Sequence, residues 1–226
     1  MGNDNGTFQA AVNYTPSAGP NDVEIGDFNE DSFLDLVVTA SSGFNLFLGS
    51  SVTPGTFGAP TFFTMSTGSK SLVAGDFNND NHLDVATANQ TTANVSVRFG
   101  TGAAGFSGVT NYATGAGCFS IVMGDFNNDN LLDLTTSNEN ADNVSVLMNT
   151  GAGVFAAALN LTAGDGPNGI TTKDVNGDGF TDILVVNSLE STLFTYFGAG
   201  NGTFSLPAES PSVGTPRDLV TGLFNA

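Results

Sequence analysis

Gly26-Asp27-Phe28-Asn29-Glu30-Asp31-Ser32-Phe33-Leu34-Asp35-Leu36-Val37-Val38 sets an acidic loop directly before an apolar run. The loop fits Asp-x-Asn-x-Asp-x-x-x-Asp, with Asp27, Asn29, Asp31 and Asp35 at positions 1, 3, 5 and 9. The same pattern returns as Asp76, Asn78, Asp80, Asp84, then Asp125, Asn127, Asp129, Asp133, and again as Asp174, Asn176, Asp178, Asp182. Each copy begins 49 residues after the last. A phenylalanine just after a Gly-rich turn keeps the same spacing at Phe8, Phe57, Phe106, Phe155 and Phe204. Self-similarity at such a period is the mark of a repeat architecture. These markers show no insertion or deletion between copies.

Each unit reads as four strands. The first follows the Phe marker (Phe8 to Tyr14), and the second enters the loop (Val23-Glu24-Ile25). The third leaves it (Leu34 to Thr39), and the fourth is Phe44-Asn45-Leu46-Phe47-Leu48. Leu36-Val37-Val38 and Ile183-Leu184-Val185-Val186 are apolar on both faces, as in a strand covered on both sides. The expectation is an all-β chain: a β-propeller of four-stranded antiparallel blades, with four complete repeats and a partial fifth, forming one domain over residues 1–226. A parallel β-helix is the runner-up, but its coils repeat on a shorter period. The partial fifth unit fits a segment of a longer propeller, a ring with an incomplete blade, or strand edges left open for self-association.

The loops hold hard oxygen donors at alternate positions, the chemistry of a calcium site. Positions 1, 3, 5 and 9 would give side-chain oxygens. Position 7 would give its backbone carbonyl, so its side chain varies freely as Phe33, His82, Leu131 and Phe180. Asp and Asn are also turn formers, yet one set of offsets four times over exceeds what turns require. Uncompensated, three neighbouring carboxylates raise one another's pKa. Four Ca2+ sites with a structural role are therefore expected. They account for 12 of the 22 acidic residues and would bring the net charge from −18 to −10.

Four basic residues against 22 acidic ones exclude a phosphate-binding footprint, so no nucleic-acid partner is expected. No apolar run is long enough for membrane insertion. The lone Cys118 lies in an apolar stretch and reads as a buried structural thiol. Seven Asn-x-Ser/Thr sequons occur, at Asn5, Asn13, Asn89, Asn94, Asn143, Asn160 and Asn201. No nucleophile–base cluster or phosphate-cradling Gly-Lys loop is visible, so no catalytic residue and no enzyme activity are expected.

Gly-Asp-Phe-Asn-x-Asp-x-x-x-Asp followed by an apolar strand, with Phe57-Gly58-Ala59-Pro60, Phe99-Gly100 and Phe197-Gly198-Ala199-Gly200-Asn201-Gly202, resembles the FG-GAP and VCBS repeat family. The resemblance covers nearly the whole chain. It implies an integrin-α-like propeller with calcium in hairpin loops, secreted or at the cell surface, serving adhesion or lectin-like sugar binding. The expected partner is a glycan or an extracellular protein. The alternative is a building block of a surface layer or fibre. Lys173 and Val175 depart from the motif in the fourth loop, whose ligand positions are intact.

Overall fold

The computed structural model describes residues 6–8, 10–212 and 214–222. Among these residues there is no helix, and sixteen strands form four antiparallel sheets. The first blade is β1 (Val23–Gly26), β2 (Asp35–Ala40), β3 (Gly43–Phe47) and β4 (Thr61–Thr64). The second is β5 (Ser69–Gly75), β6 (Asp84–Asn89), β7 (Asn94–Arg98) and β8 (Thr110–Ala113). The third is β9 (Cys118–Gly124), β10 (Asp133–Asn138), β11 (Asn143–Leu147) and β12 (Leu159–Thr162), and the fourth is β13 (Pro167–Lys173), β14 (Asp182–Asn187), β15 (Thr192–Tyr196) and β16 (Ala208–Pro211). Strand order within every sheet is sequential. Successive inner strands lie side by side, β5 against β1 and β2, β9 against β5 and β6, β13 against β9 and β10.

The blades are cut differently from the sequence units. The strand following each Phe marker pairs with the fourth strand of the preceding unit, as in β4 on β3 (Phe44 opposite Phe63), and becomes its outer edge. The strand expected at Phe8 to Tyr14 does not form; Phe8 makes only an isolated bridge, and Gln9 lies outside the described residues. Sequence similarity fixes the period, while pairing partners fix the phase.

The register also hides a compensated shift. The β2–β3 turn is Ser41-Ser42, whereas four residues, Gln90 to Ala93, join β6 to β7. The first unit recovers the two residues in its next loop, where Gly49 bridges Phe57 but Gly100 bridges Phe106. The markers stay in step because the two changes cancel.

Burial explains the two-faced apolar strands. β6 and β10 are buried along their whole length, each covered by a blade on either side, and β14 of the fourth blade is buried along its whole length as well. Three apolar clusters fill these spaces, one centred on Phe28, Phe44 and Leu72, one on Phe77, Ile121 and Phe155, and one on Phe126, Ile170 and Tyr196. Phe106 lies edge-on to Phe44 and Phe63 at 5.1 and 4.9 Å. Phe155 meets Tyr112 at 5.2 Å, and Phe57 meets Tyr14 at 5.4 Å. Tyr14, Phe63 and Tyr112 are thus packing aromatics at equivalent sites. Cys118 is fully buried, and burial pushes its thiol up. No helix among the described residues is long and apolar enough to cross a membrane.

Candidate metal loops and blade grooves

All four acidic loops connect the inner strand of a blade to its second strand, and all take nearly the same shape. Positions 4 and 6 lie in the left-handed region: Glu30 (φ 61°) and Ser32 (71°), Asn79 (61°) and Asn81 (67°), Asn128 (59°) and Asn130 (64°), Gly177 (79°) and Gly179 (88°). Non-glycine residues enter this region at a cost, which Asn and Gly reduce. The two reversals wrap the loop so that alternate side chains accept from the loop's own amides.

Hydrogen bonds fix that arrangement. In the first loop the Asp31 amide donates to both Asp27 Oδ1 and Asn29 Oδ1 at 3.1 Å, so these two oxygens meet at one nitrogen. Ser32 N donates to Asp27 Oδ2 (2.8 Å) and Phe33 N to Asp31 Oδ1 (2.9 Å). Asn29 Nδ2 donates to Asp31 Oδ2 at 3.0 Å. The second and third loops repeat the set around Asp76, Asn78, Asp80 and Asp125, Asn127, Asp129. The fourth differs at one bond: Asp174 Oδ1 accepts from Gly177 N at 2.7 Å. Two backbone amides, Gly179 N and then Gly177 N, hold the Asp174 carboxyl below the usual range.

Position 9 has a task in the fold that the sequence did not reveal. Asp35, Asp84, Asp133 and Asp182 are the first residues of β2, β6, β10 and β14, and all four are fully buried. Asp84 Oδ2 accepts from Phe77 N and its Oδ1 from Gly100 N, both at 2.8 Å. Asp35 does the same with Phe28 and Gly49, Asp133 with Phe126 and Asn149, and Asp182 with Val175 and Gly198. Each carboxylate therefore staples its loop to the end of the third strand of its blade. Burial first, then the charges of Asp80 and Asp76, pushes Asp84 up to about 6; Asp133 is pushed to about 6 by burial and by Asp129 and Asp125. Asp35 is raised by the same burial.

Among the described residues, no three His, Cys, Asp or Glu side chains converge closely enough to form a preformed metal cluster. The staple explains this, since it turns the position 9 carboxylate onto backbone amides. The donor set nonetheless fits a hard cation. It consists of carboxylate, amide and carbonyl oxygens, each retaining a lone pair after accepting one hydrogen bond. The one imidazole turns away, because His82 Nδ1 pairs with Glu30 of the preceding loop. That contact between loops was not foreseen and leaves only the His82 carbonyl for position 7.

The loops are tied to the packing between blades. Position 2 is Phe28, Phe77 and Phe126, each almost fully buried against a Phe marker of the next blade at centroid distances of 6.1, 6.1 and 5.6 Å. Their carbonyls accept from that blade as well: Phe28 from Ala104 N, Phe77 from Asn149 Nδ2 and Phe126 from Gly202 N. Val175, the fourth occupant, is 44% exposed.

Two clefts each include one of the equivalent tyrosines, Tyr14 and Tyr112. One of ≈620 Å³ is walled by Phe8, Val12, Tyr14 and the 52–56 loop. A smaller one, ≈250 Å³, is walled by Tyr112, Phe155 and Ala156 to Ala158. Among the sequon asparagines, Asn89 is fully buried with its amide bonded to Asn94 and Ser96, so it is closed to modification; Asn5 lies outside the described residues.

An FG-GAP-like repeat model matches residues 27–87, 76–136 and 132–185. No curated protein sequence matches. Among solved structures, an Agrocybe aegerita lectin, described for specific recognition of non-reducing terminal N-acetylglucosamine, aligns at TM-score 0.57 and 17% identity over 82% of this chain and 50% of that one. A functionally unknown protein from Desulfotomaculum acetoxidans aligns at 0.58 and 15%, over 84% and 55%. BBS1N, solved in complex with ARL6DN, aligns at 0.60 and 12%, over 86% and 57%. The chain spans about half the length of these structures, and at such identities the likeness concerns the propeller fold alone.

Proposed function

We propose that this chain, which belongs to the FG-GAP-like repeat family, is a calcium-stabilised, non-catalytic binding module working outside the cell, with a glycan or an extracellular protein as ligand. The observation that carries the calcium reading is the fourfold recurrence of one loop geometry, with paired left-handed residues and side-chain oxygens gathered on shared amides. Asp27, Asn29, Asp31 and Asp35, with the Phe33 carbonyl, would hold the first ion, and the equivalent residues the other three. A bound cation would offset the burial, and the smaller repulsion from the loop's other carboxylates, that raise Asp84 and Asp133, and would brace Phe28, Phe77 and Phe126 in the interfaces between blades. Its work is then mechanical, consistent with a chain that has no disulfide.

The clefts beside Tyr14 and Tyr112 supply aromatic edges at blade junctions, suited to a sugar ring or an apolar side chain. A glycan array probed in millimolar calcium and again in chelator tests the reading. Calcium-dependent capture of a coherent sugar set supports it. A folded protein that captures the same set equally well in chelator removes calcium from the account.

A second reading, assembly, has its own observation. Val23 is 52% exposed, whereas its equivalents Leu72, Ile121 and Ile170 are at most 3% exposed beneath a neighbouring blade. Ile25 beside it is 59% exposed. The mass in solution, measured by light scattering, decides it; a strictly monomeric chain up to high concentration excludes assembly through this face.

A further inference from the structure

A cavity of ≈300 Å³ is lined by the same position of five successive repeats: Asn21, Lys70, Phe119, Asn168 and Arg217. It therefore lies where the inner strands gather, away from the acidic loops and the blade clefts. The chain has four basic residues, and two of them are here. Another, Arg98, is spent on backbone, donating to the Thr64 and Ser107 carbonyls.

Asp22 and Asp218 also line the cavity, and both accept hydrogen bonds from the protein. Asp22 accepts from Ser71 Oγ (2.9 Å), Leu72 N (3.0 Å) and Val23 N (2.9 Å). Asp218 Oδ1 accepts from Leu219 N at 2.8 Å. His82–Glu30 is the one ion pair among the described residues, so Lys70 and Arg217 have none. Asn168 as a residue is 4% exposed; its backbone carbonyl accepts from Ser137 Oγ, and its side-chain amide borders the cavity.

We propose that this axial cavity binds a monosaccharide-sized ligand bearing one carboxylate, a uronate or similar acidic sugar. Lys70 and Arg217 take the carboxylate, which suits their charge and the guanidinium fork. The Asn168 amide meets a hydroxyl or ring oxygen, and Phe119 lends an apolar wall for the ring. A monoanion fits better than a phosphate dianion, because Asp22 and Asp218 already bring the lining to neutrality and the whole chain carries −18.

The test is an NMR titration of the calcium-saturated, full chain with glucuronate, galacturonate and N-acetylneuraminate, against glucose and inorganic phosphate. At least one acidic sugar is expected to shift Lys70, Asn168 and Arg217 while glucose leaves them unmoved. Lys70→Gln and Arg217→Gln, each confirmed folded by its melt, are expected to weaken binding about tenfold or more, the usual worth of a charge-assisted hydrogen bond. No axial shift with any of the three acids overturns the proposal. So does an equal response to phosphate or glucose, or shifts confined to the acidic loops, which would mean only capture by calcium. Shifts at Tyr14 or Tyr112 instead would assign the sugar to the blade clefts, so this proposal and the cleft reading fail separately.

Discussion

Asp84→Ala separates the staple from the metal ligand. The carboxylate accepts from Phe77 N and Gly100 N, both at 2.8 Å, and Asp84 is fully buried. Alanine leaves two buried amides without an acceptor, at about 1–3 kcal/mol each. Part of that loss is offset, because burial and the Asp80 and Asp76 charges already push this carboxyl up to about 6, so ionising it at neutral pH is costly. The expected net destabilisation is about 2–4 kcal/mol in the absence of calcium. For a chain this size it corresponds to a fall in Tm of roughly 4–16 °C. The assay is urea unfolding followed by circular dichroism at pH 7 in excess chelator, where the midpoint drops and the slope stays the same. Asp80→Ala is the control, since Asp80 is exposed and bonds only within its loop. It should lie within about 1 kcal/mol of the parent in chelator but lose its loop's share of the calcium-induced stabilisation. If Asp84→Ala matches the parent in chelator to within about 0.5 kcal/mol, the staple carries no weight and the reasoning fails.

The loops should act additively on stability: with affinities of 10⁻⁴–10⁻³ M, a calcium concentration of about 10 mM adds about 1.4–2.7 kcal/mol per site. Asp31→Ala, Asp80→Ala, Asp129→Ala and Asp178→Ala should each remove about a quarter of that total, read as the loss in calcium-dependent Tm; a single variant abolishing all of it would show one coupled site. The pH response should change sign with calcium. Asp84 and Asp133 sit at about 6 when folded and near the ordinary 3.8 when unfolded, so the folded state binds protons more tightly between those values. Chelated protein should therefore gain stability as pH falls from about 6 toward 4, whereas calcium-loaded protein should lose it there, because protons compete with the ion; melts at pH 7 and pH 5 in both conditions check this, and parallel slopes would refute it. Phe155→Ala removes a buried ring lying edge-on to Phe77 and Tyr112 and should cost about 3–5 kcal/mol by denaturant titration.

What the sequence made legible was local. The period, the strand-loop-strand unit and the recurring Asp and Asn positions of each loop all lie within a nine-residue window or repeat as a fixed phrase, so counting offsets finds them. What escaped depends on groups that chain distance separates. Asp35 reads as a metal ligand because its loop is adjacent, yet its second hydrogen-bond donor, Gly49 N, lies 14 residues on and carries no motif. The outer strand of each blade belongs, by sequence, to the following unit, and only pairing such as Asn45 opposite Phe62 reveals the phase. Val175 looked like a harmless departure from the Phe of the other loops. In the fold that position is the plug of a blade interface, buried as Phe28, Phe77 and Phe126 under the next blade and 44% exposed as Val175. The axial column was hardest to see. Asn21, Lys70, Phe119, Asn168 and Arg217 share a repeat position but no chemistry, so self-similarity searches pass over them. In a repeat protein the positions that agree build the scaffold, and a site made once must be sought where repeats converge in space and disagree in sequence.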